Sequence, residues 1–474
     1  MENEEPTDAG NIWGVDVFDS SEGRIRPPRP EMTVHEAARE TSVFAETDVL
    51  VVGGGPAGTA AAIAASRSRA DVILVERYNH LGGLSTGGLV IWIDRMTDWN
   101  GEQVIAGIAK DIFDRLPKEA RMGPSRTDWG STDAASAAFW AERMSAFHGI
   151  VTWSPTIDPE ALKTLSFEMI KEQNVRLLLH SWAVASIVED GVMRGVIFES
   201  KEGRQAILAK TVIDTTGDAD LITRAGLPSD TDSERTNMSQ TINTTFLLGG
   251  VDMERWTAFK TKNTEGFKDF MALGRQRVQF FEKPFHSWRN DVAVFLGPRL
   301  SGYNAVDVED LTEVDLRSRE LTIKHLDVYR DAAPGFENAF LMLGAPQVGV
   351  RHSRRLIGNK TVVRDQWPTG KVWEDEIGVS TSLSPKFPNI SVPFGALVPK
   401  GLDGLLAAGR HIACDVNSHS FLREIPQCWM TGHAAGVAAA LSANSGVHAR
   451  NLDIKLVQSE LKKQGAYLSS SLTD

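Results

Sequence analysis

The stretch TDVLVVGGGPAGTAAAIAASRSRADVILVE, residues Thr47–Glu76, decides the fold class. It opens with a short apolar run (48–52) typical of a strand buried on both faces, and glycines in GxGxxG spacing follow. A small-residue helix then begins near Pro56, and a second strand candidate (71–75) ends on Glu76. A lone GxGxxG is also found in ordinary glycine-rich turns, but that alternative does not explain the two strands, the helix and the terminal acid. The stretch therefore predicts a dinucleotide-binding βαβ unit.

Each element of such a unit has its own physical role. Gly53 permits the tight turn after the strand, Gly55 lets backbone N–H groups approach a pyrophosphate, and Gly58 lets helix and strand lie close together. The helix N-terminus stabilises phosphate charge, and Glu76 can accept hydrogen bonds from a ribose diol. These features leave open whether the cofactor is NAD or FAD. Further cofactor contacts are predicted in the same unit and in the glycine-dense loop after it: Pro56, Ala57, Arg77, Gly82, Gly83, Leu84, Ser85 and Thr86.

Composition is that of an ordinary globular protein and argues against several classes of partner. The 474 residues are 42% hydrophobic and 24% charged, with a formal net charge of −12. Nucleic acid and anionic membrane surfaces favour clustered Lys and Arg, so neither is an expected partner. No apolar run approaches the roughly 18 residues of a membrane span. With two cysteines, Cys414 and Cys428, and no apolar leader at its start, the chain is predicted to be cytoplasmic.

The order of patterns predicts an α/β protein in which two domains are interleaved. A Rossmann-like parallel sheet with an antiparallel meander forms the cofactor-binding domain, and a mixed α+β region forms a substrate or cap domain. An extended arm that crosses the surface or binds a partner is expected at residues 1–45. The predicted cofactor-binding segments are 46–95, 155–225, 346–360 and 385–448. The predicted substrate-domain segments are 96–154, 226–345 and 361–384, and a C-terminal helix and tail are expected at 449–474.

Local periodicity predicts the main elements outside the first unit. An amphipathic helix is expected over Pro159–Glu172. Four strands of the antiparallel meander should follow it, at 176–179, 183–189, 193–199 and 204–208, separated by turn signals. Further along, the patterns indicate a strand at 238–248, a helix at 309–331 and a closing helix at 452–464. Five tryptophans predict an insertion that covers the cofactor and lines a substrate pocket, although core packing explains each of them equally well: Trp92, Trp99, Trp129, Trp140 and Trp153.

Two later stretches add to the predicted cofactor site. TVIDTTGDAD (211–220) places polar groups at the carboxyl end of a buried strand, where ligands bind in open α/β sheets. A strand at 405–408 enters Gly409-Arg410, and a loop (415–424) leads into an alanine-rich helix near Pro426. From these stretches and the meander, the predicted cofactor contacts are Ala183, Thr216, Gly217, Asp218, Gly409, Arg410, Asp415, Pro426 and Gly432.

Four stretches together resemble the FAD-dependent oxidoreductase family of the glutathione-reductase-like flavoproteins, which includes the fumarate reductase and thiazole synthase branches. They are GGGPAG with Glu76 and the LGG that follows, IDTTGDADLITRAG, RHSRRLIG, and AGRHIACDVNSHSFLREIPQCWMTGHAAGVAAAL. The last two are specific to this branch, whereas the first is shared by many flavoproteins. The resemblance implies non-covalent FAD and redox chemistry, and it names no substrate. The family often has an acid at the position of His352 and a cysteine at that of His411.

The residues themselves agree with FAD. The chain has one complete GxGxxG unit with a following acid, so no second NAD(P)H-binding domain is expected. The helix near Pro426 can direct its N–H groups at the N1–C2=O edge of a flavin, with Gly432 and Gly436 permitting close approach. An alanine-rich core helix is the alternative interpretation.

Candidates for proton transfer and anion binding lie in the RHSRR and NSHSFLR stretches. His352 and His419 are the predicted proton carriers, and Arg354 or Arg423 is predicted to hold an anionic group. Arg351 and Arg355 are further candidates for the anion clamp, and a purely ion-paired cluster is the alternative.

No metal site is expected. His411, Asp415 and His419 would align on one helix face, but a loop is favoured there and no second cluster supplies ligands. Asp415 is instead predicted to contact the ribityl or pyrophosphate region of the cofactor.

These observations predict a flavoenzyme that transfers a hydride between flavin N5 and a small organic substrate, an anionic one if the arginines bind it. The first alternative is a flavin monooxygenase, which requires fast reduction by NAD(P)H. The second is a flavin-bound subunit that passes electrons to a partner protein. The sequence leaves open the substrate, the direction of reaction, the electron acceptor or donor and the formation of a homo-oligomer.

Overall fold

The computed structural model describes residues 28–231 and 241–469. The α-helices of this part of the chain are α1 (Pro56–Arg67), α2 (Ile108–Arg115), α3 (Ala134–Ala141), α4 (Pro159–Glu172), α5 (Asp220–Arg224), α6 (Met253–Lys262), α7 (Thr264–Arg277), α8 (Val308–Ala332), α9 (Val416–Leu422), α10 (Ile425–Ser445) and α11 (Ile454–Lys463). None of the described helices is long and apolar enough to cross a membrane.

The strands of the same part are short outside the central sheet. They are β1 (Val43–Val52), β2 (Val72–Val75), β3 (Arg121–Met122), β4 (Ala146–Phe147), β5 (Ile150–Val151), β6 (Thr156–Ile157), β7 (Arg176–Leu178), β8 (Trp182–Glu189), β9 (Val192–Ser200), β10 (Gly203–Asp214), β11 (Ser229–Asp230), β12 (Ile242–Asn243), β13 (Phe246–Gly249), β14 (Phe285–His286), β15 (Val292–Phe295), β16 (Phe340–Gly344), β17 (Gly349–Val350), β18 (Arg355–Leu356), β19 (Glu376–Ser380), β20 (Ile390–Pro393) and β21 (Leu405–Ala407).

The central sheet has the order β7-β2-β1-β10-β9-β8, with β21 also pairing with β10. Strands β7, β2, β1, β10 and β21 are parallel to their neighbours, whereas β10, β9 and β8 form antiparallel pairs. This arrangement confirms the predicted Rossmann-like parallel sheet with an antiparallel meander. Because the carboxyl ends of β1, β2, β10 and β21 lie at one edge, the loops that follow these strands meet there.

The predicted break between two strands, at residues 208–211, is wrong, because strand β10 continues through it. The strand runs unbroken from Gly203 to Asp214 because β1 pairs along it, from Val43 opposite Ala206 to Val52 opposite Asp214. Its first half pairs on the other side with β9 and its last three residues pair with β21. One long strand therefore joins the meander to the parallel part of the sheet.

Two other predictions about the sheet are corrected. The strand at 176–179 is not part of the meander, since β7 pairs in parallel with β2 at the sheet edge, and helix α4 provides the crossover that a parallel connection needs. The predicted arm, residues 1–45, overlaps β1, which begins at Val43. Residues 28–42 are mostly exposed and carry no regular element, and residues 1–27 lie outside the described part.

Helices α1 and α10 pack against each other over the sheet. A side chain at Gly432 would place its Cβ 2.1 Å from the carbonyl oxygen of Ala57, and one at Gly436 would lie 2.2 Å from that of Ala61. The two glycines therefore allow the backbones of the helices to touch, and the surrounding alanines are fully buried. This contact fixes the start of α10 beside the start of α1.

A second apolar core lies mainly in the segment 226–345, which was predicted to be part of the substrate domain. Strands β14, β15, β13 and β16 form an antiparallel sheet, and Trp256, Phe246 and Tyr329 are buried between it and helices α6–α8. Helix α8 confirms the helix predicted at 309–331. Of the strand predicted at 238–248, the structure shows β12 and β13, and residues 238–240 lie outside the described part.

The prediction of a loop at 415–424 is wrong, because residues Val416–Leu422 form helix α9. The Asp415 carboxylate caps that helix by accepting a hydrogen bond from the Ser418 amide at 2.7 Å. Helices predicted at 159–172 and 452–464 are confirmed by α4 and α11.

Candidate functional site

A cavity of about 880 Å³ lies at the carboxyl ends of β1, β2, β10 and β21. The loops that follow these strands supply most of its wall, as expected for an open α/β sheet. Of the predicted cofactor contacts, those that line this first cavity are Gly53, Gly55, Pro56, Ala57, Glu76, Arg77, Gly83, Leu84, Ala183, Thr216, Gly217, Gly409 and Arg410.

The glycine turn shapes one side of the first cavity. An added Cβ at Gly53 would lie 2.5 Å from the Thr215 carbonyl oxygen, and one at Gly58 would lie 1.7 Å from that of Gly53. These two glycines therefore serve close packing of β1, α1 and the loop after β10. At Gly55, by contrast, an added Cβ would meet no atom within 4 Å. Gly55 thus leaves its backbone open to the cavity.

The Glu76 carboxylate lies at the end of β2 and orders the turn opposite it. Its two oxygens accept hydrogen bonds from the amides of Gly54, at 2.5 Å, and Tyr78, at 2.8 Å. Carboxylate oxygens have further lone pairs, so Glu76 retains acceptor capacity for a ligand hydroxyl.

The remaining predicted cofactor residues are not among those that line the first cavity, although the structure describes all of them. Ser85 and Thr86 donate their hydroxyls to the carbonyls of Gly82 and Leu81, which shapes the loop that presents Gly83 and Leu84. Asp415 caps α9, and Gly432 packs on α1. Pro426 lies in the first turn of α10, beside the lining residue Ile425.

Asp218 does not line the first cavity, but it positions Arg410, which does. Its Oδ1 accepts hydrogen bonds from the Arg410 guanidinium at 2.7 Å and from the Ser353 hydroxyl at 2.6 Å. Burial alone would raise the pKa of Asp218, but the charge of Arg410 and these hydrogen bonds hold it below its ordinary value. An ionised Asp218 therefore fixes Arg410 at the edge of the cavity.

Arg354 has a similar structural position. Its guanidinium donates to the Asp218 carbonyl oxygen at 2.7 Å and to the Asp220 carboxylate at 2.5 Å. The RHSRR segment is thereby joined to the loop after β10. Arg354 itself is not among the residues that line the first or the second cavity.

A second cavity, of about 1600 Å³, adjoins the first. Leu84, Arg423 and Ile425 line both cavities, so they form a shared wall. The rest of the second cavity combines aromatic and aliphatic side chains with charged ones. The lining aromatic residues are Trp92, Trp99, Phe147, His148, Phe285 and Phe421, and the charged ones are Asp94, Arg95, Arg299, Arg351, Arg423 and Glu424.

The tryptophans of the predicted insertion divide into two groups. Trp92 and Trp99 line the second cavity. Trp129 and Trp153 pack on each other with ring centroids 5.3 Å apart, and Trp140 packs on a small separate core. Sequence alone could not separate the groups, because their local contexts are alike.

The predicted proton carriers contact each other but are not part of the lining of the second cavity. The rings of His352 and His419 are in edge-to-face contact, and the guanidinium of Arg355 donates to His352 Nε2 at 3.1 Å. Burial, with the charge of Arg355 adding to it, lowers the pKa of His352 to about 4. Burial also holds the pKa of His419 well below its ordinary value. Although both are described, neither residue is among those that line the first or the second cavity.

Arg423 and Glu424 lie at the junction of α9 and α10. Arg423 Nη1 and Glu424 Oε1 are 3.2 Å apart, and Arg423 lines both cavities. Burial raises the pKa of Glu424, and the charge of Arg423 opposes that rise. Glu424 is therefore a carboxyl group able to hold or release a proton at the wall of the second cavity.

Sequence reasoning missed several lining residues. In the first cavity these include Tyr78, Ser181, Trp182, Gln347, Ile425 and Cys428, and in the second they include Asp94, Arg95, Arg299 and Glu424. Tyr78 and Trp182 are sequence neighbours of the predicted residues Arg77 and Ala183, and this proximity could have identified them. No feature of the sequence could have identified Arg299, because it belongs to a region without a recognisable motif. Burial raises the pKa of the Cys428 thiol to about 12, so that group is a neutral part of the wall.

The candidate metal residues do not converge. His411 Nε2 lies 3.5 Å from an Asp214 oxygen, His419 contacts His352, and Asp415 caps α9. Among the described residues, no group of three His, Cys, Asp or Glu side chains is placed to hold a metal ion.

The first cavity fits FAD on three observations. Gly55 leaves open backbone at the start of α1, and no side chain caps that helix end. Arg410 lines the cavity, and its Nε is buried without a hydrogen-bond partner among the described residues. A helix N-terminus and a cation together suit a pyrophosphate. Glu76, directly after β2, and Ala183, near the start of β8, line another part of the wall.

The sheet and this cavity define a dinucleotide-binding flavoprotein of the Rossmann-like class. The chain belongs to the FAD-dependent oxidoreductase family, whose sequence model matches residues 48–461. The protein is therefore an enzyme and FAD is its cofactor. The search of curated protein sequences found no match.

Several solved structures resemble this chain at low sequence identity. A geranylgeranyl bacteriochlorophyll reductase-like protein from Thermoplasma acidophilum is 14% identical, with 88% of this chain and 83% of that one covered and a TM-score of 0.45. A flavin-dependent brominase is 14% identical, with 89% and 84% covered and a TM-score of 0.44. The p-nitrophenol 4-monooxygenase from Pseudomonas putida DLL-E4 is 12% identical, with 88% and 83% covered and a TM-score of 0.38.

Proposed function

We propose that the protein catalyses hydride transfer between flavin N5 and a small organic substrate bound in the second cavity. The observation that carries this proposal is the wall shared by the two cavities, formed by Leu84, Arg423 and Ile425. FAD supplies the two-electron redox chemistry when it is bound.

The chain's own contribution is binding and positioning. Glu76, Arg410 and the start of α1 hold the cofactor, and α10 begins at the shared wall with Ile425. The N-terminal end of α10 carries no side-chain cap, so a group at that wall can accept hydrogen bonds from the first amides of the helix other than Pro426, which has no N–H. Apolar lining such as Trp92 and Phe147 excludes water from the second cavity.

Proton transfer is assigned to Glu424 in this proposal. Hydride removal from carbon is easier when a base takes the accompanying proton. Glu424 lines the second cavity between two residues of the shared wall, whereas His352 and His419 lie outside the lining. We therefore treat the two histidines as positioning residues that hold α9, and their catalytic role as the competing assignment.

The proposal is tested by an anaerobic screen of small organic acids, alcohols and amines with the purified holoenzyme. Bleaching of the flavin absorbance by one compound, at a rate that matches turnover with an artificial acceptor, is the expected result. If no compound changes the flavin while a partner protein reduces or oxidises it, the chain is an electron-transfer subunit and the proposal is wrong.

A further inference from the structure

Three arginines from distant parts of the chain meet at the second cavity, of which Arg299 is buried and Arg351 and Arg423 are partly buried. Arg299 follows β15, Arg351 follows β17, and Arg423 lies between α9 and α10. Arg299 donates to Glu282 at 2.7 Å, and Arg423 lies 3.2 Å from Glu424. The Nε atoms of Arg299 and Arg423 are nevertheless buried with no hydrogen-bond partner among the described residues. Buried donors are normally paired, so the two Nε–H groups can each donate a hydrogen bond to a bound ligand.

The three guanidinium groups also repel one another. Burial lowers the pKa of Arg351 to about 9, and the charges of Arg423 and Arg299 add to that effect. The charges of Glu424 and Glu282 act in the opposite direction without cancelling it. A bound anion would relieve this repulsion and would supply acceptors for the unpartnered Nε atoms.

The fourth arginine of the cavity is engaged in the wall. Arg95 donates to the Ser382 carbonyl oxygen at 2.8 Å, lies 3.5 Å from Asp94, and stacks over the Trp99 ring at 4.5 Å. Anion recognition is therefore assigned to the arginine cluster, defined here as Arg299, Arg351 and Arg423.

The remaining lining suits a flat apolar body. Trp92, Phe147, Phe285 and Phe421 line the cavity, with aliphatic side chains such as Leu84 and Ile425 at the shared wall. The Trp92 indole N–H is donated to the Met144 carbonyl oxygen at 3.0 Å, so its hydrogen-bonding capacity is satisfied within the wall. Aromatic rings favour offset or edge-to-face contact with another ring.

We infer that the second cavity selects an aromatic carboxylate, with its carboxylate at the arginine cluster and its ring against the aromatic wall. This inference rests on the proposed function for the nature of the reaction, but it concerns binding alone. A cationic ligand would be repelled by the cluster. A neutral sugar would leave its hydroxyl groups without partners along the aromatic wall.

Calorimetric titration of the FAD-loaded enzyme tests the inference with matched pairs of probes. Benzoate, phenylacetate and naphthalene-2-carboxylate are each compared with the corresponding carboxamide, and octanoate is the aliphatic control. At least one aromatic acid should bind about 10- to 100-fold more tightly than its amide, the range expected for hydrogen bonds to a charged group. Arg351→Gln and Arg423→Gln should abolish that preference, whereas the charge-conserving Arg423→Lys should retain part of it.

Arg289→Gln is the matched control, because Arg289 is exposed and paired with Asp291 outside both cavities. FAD content and thermal unfolding show which variants are folded. If Arg351→Gln fails to fold, Arg423→Gln and Arg423→Lys still decide the question. Equal affinity for every acid and its amide, or tighter binding of octanoate than of any aromatic acid, overturns the inference.

The outcome is separable from that of the proposed function. Tight, arginine-dependent binding of an aromatic acid, with no compound that exchanges electrons with the flavin, supports the binding site and refutes the proposed reaction. A neutral compound that bleaches the flavin while no acid binds supports the reaction and refutes the substrate class.

Discussion

The imidazole rings of His352 and His419 lie 4.9 Å apart, at an interplanar angle of 79°. His352 belongs to the RHSRR segment and His419 to α9, so this contact joins two segments that are 67 positions apart in the chain. Both rings are buried beside Arg355, whose charge disfavours protonation of either histidine. The contact between the two histidines therefore favours the folded state only while both rings are neutral.

Acid should destabilise the protein through His352. Its pKa is about 4 in the folded state, whereas the ordinary pKa of a histidine is 6.5. Between these two pH values the unfolded chain binds a proton that the folded chain does not. The stabilisation is therefore complete above pH 6.5 and is lost as the pH falls toward 4, by at most about 3 kcal/mol.

His352→Gln should show a smaller loss of unfolding free energy than the natural protein between pH 6.5 and 4 in urea titrations. His35→Gln, which alters an exposed histidine, should behave like the natural protein. Identical pH dependence in all three proteins would show that His352 is not held neutral.

Glu424→Gln should slow flavin reduction by substrate about 100-fold or more, the usual scale for the loss of a general base. FAD content should remain unchanged, because Glu424 lines the second cavity and is not among the residues of the first. A general base must be ionised to act, and burial raises the pKa of Glu424. As the pH is lowered, the natural enzyme should therefore begin to lose activity at a higher pH than an enzyme with an ordinary carboxylate base. This acidic limb of the pH–activity profile should be absent in the variant.

Glu202→Gln, at an exposed hairpin turn, is the control for that experiment. Rapid-mixing measurements on His352→Ala and His419→Ala complete the comparison. If these two variants lose the hydride-transfer step with normal FAD content while Glu424→Gln retains it, proton transfer belongs to the histidines.

Gly55→Val should abolish FAD binding without unfolding the protein. The new side chain would project into the first cavity, where it meets no protein atom, and so it would occupy space at the start of α1. Gly344→Val is a matched control, because an added Cβ there also has room and Gly344 lies in β16, outside both cavities. Flavin absorbance after purification and thermal unfolding provide the measurement.

Glu76→Ala should weaken FAD binding by about 1–3 kcal/mol, less than Gly55→Val does, since it removes acceptors without filling space. The carboxylate also orders Gly54 and Tyr78, so part of the effect should come from the turn. Fluorescence titration of the apoprotein with FAD measures the change. An unchanged dissociation constant would exclude Glu76 from the ribose contact.

NADH and NADPH should reduce the bound flavin slowly or not at all in the absence of a partner. The prediction rests on the single complete GxGxxG unit in the sequence. Stopped-flow reduction at a rate comparable to turnover would instead favour the monooxygenase alternative.

The sequence by itself determined the cofactor half of the protein. Gly53, Gly55 and Gly58 must follow a strand at fixed spacing because a turn, a pyrophosphate and a helix contact each require the absence of a side chain. Such local requirements can be read from a single stretch. They predicted the parallel part of the sheet and a group of residues at its carboxyl edge, and Gly53, Gly55 and Glu76 of that group line the first cavity.

Only the tertiary structure decided the second cavity. Arg299, Arg351 and Arg423 come from three segments of the chain that meet only through long-range packing, which no spacing rule encodes. The contact of Gly432 with Ala57 of α1 is likewise a matter of long-range packing. Long-range packing fixes which small or charged residues face a cavity and which face another helix, and for that reason local patterns could not separate them.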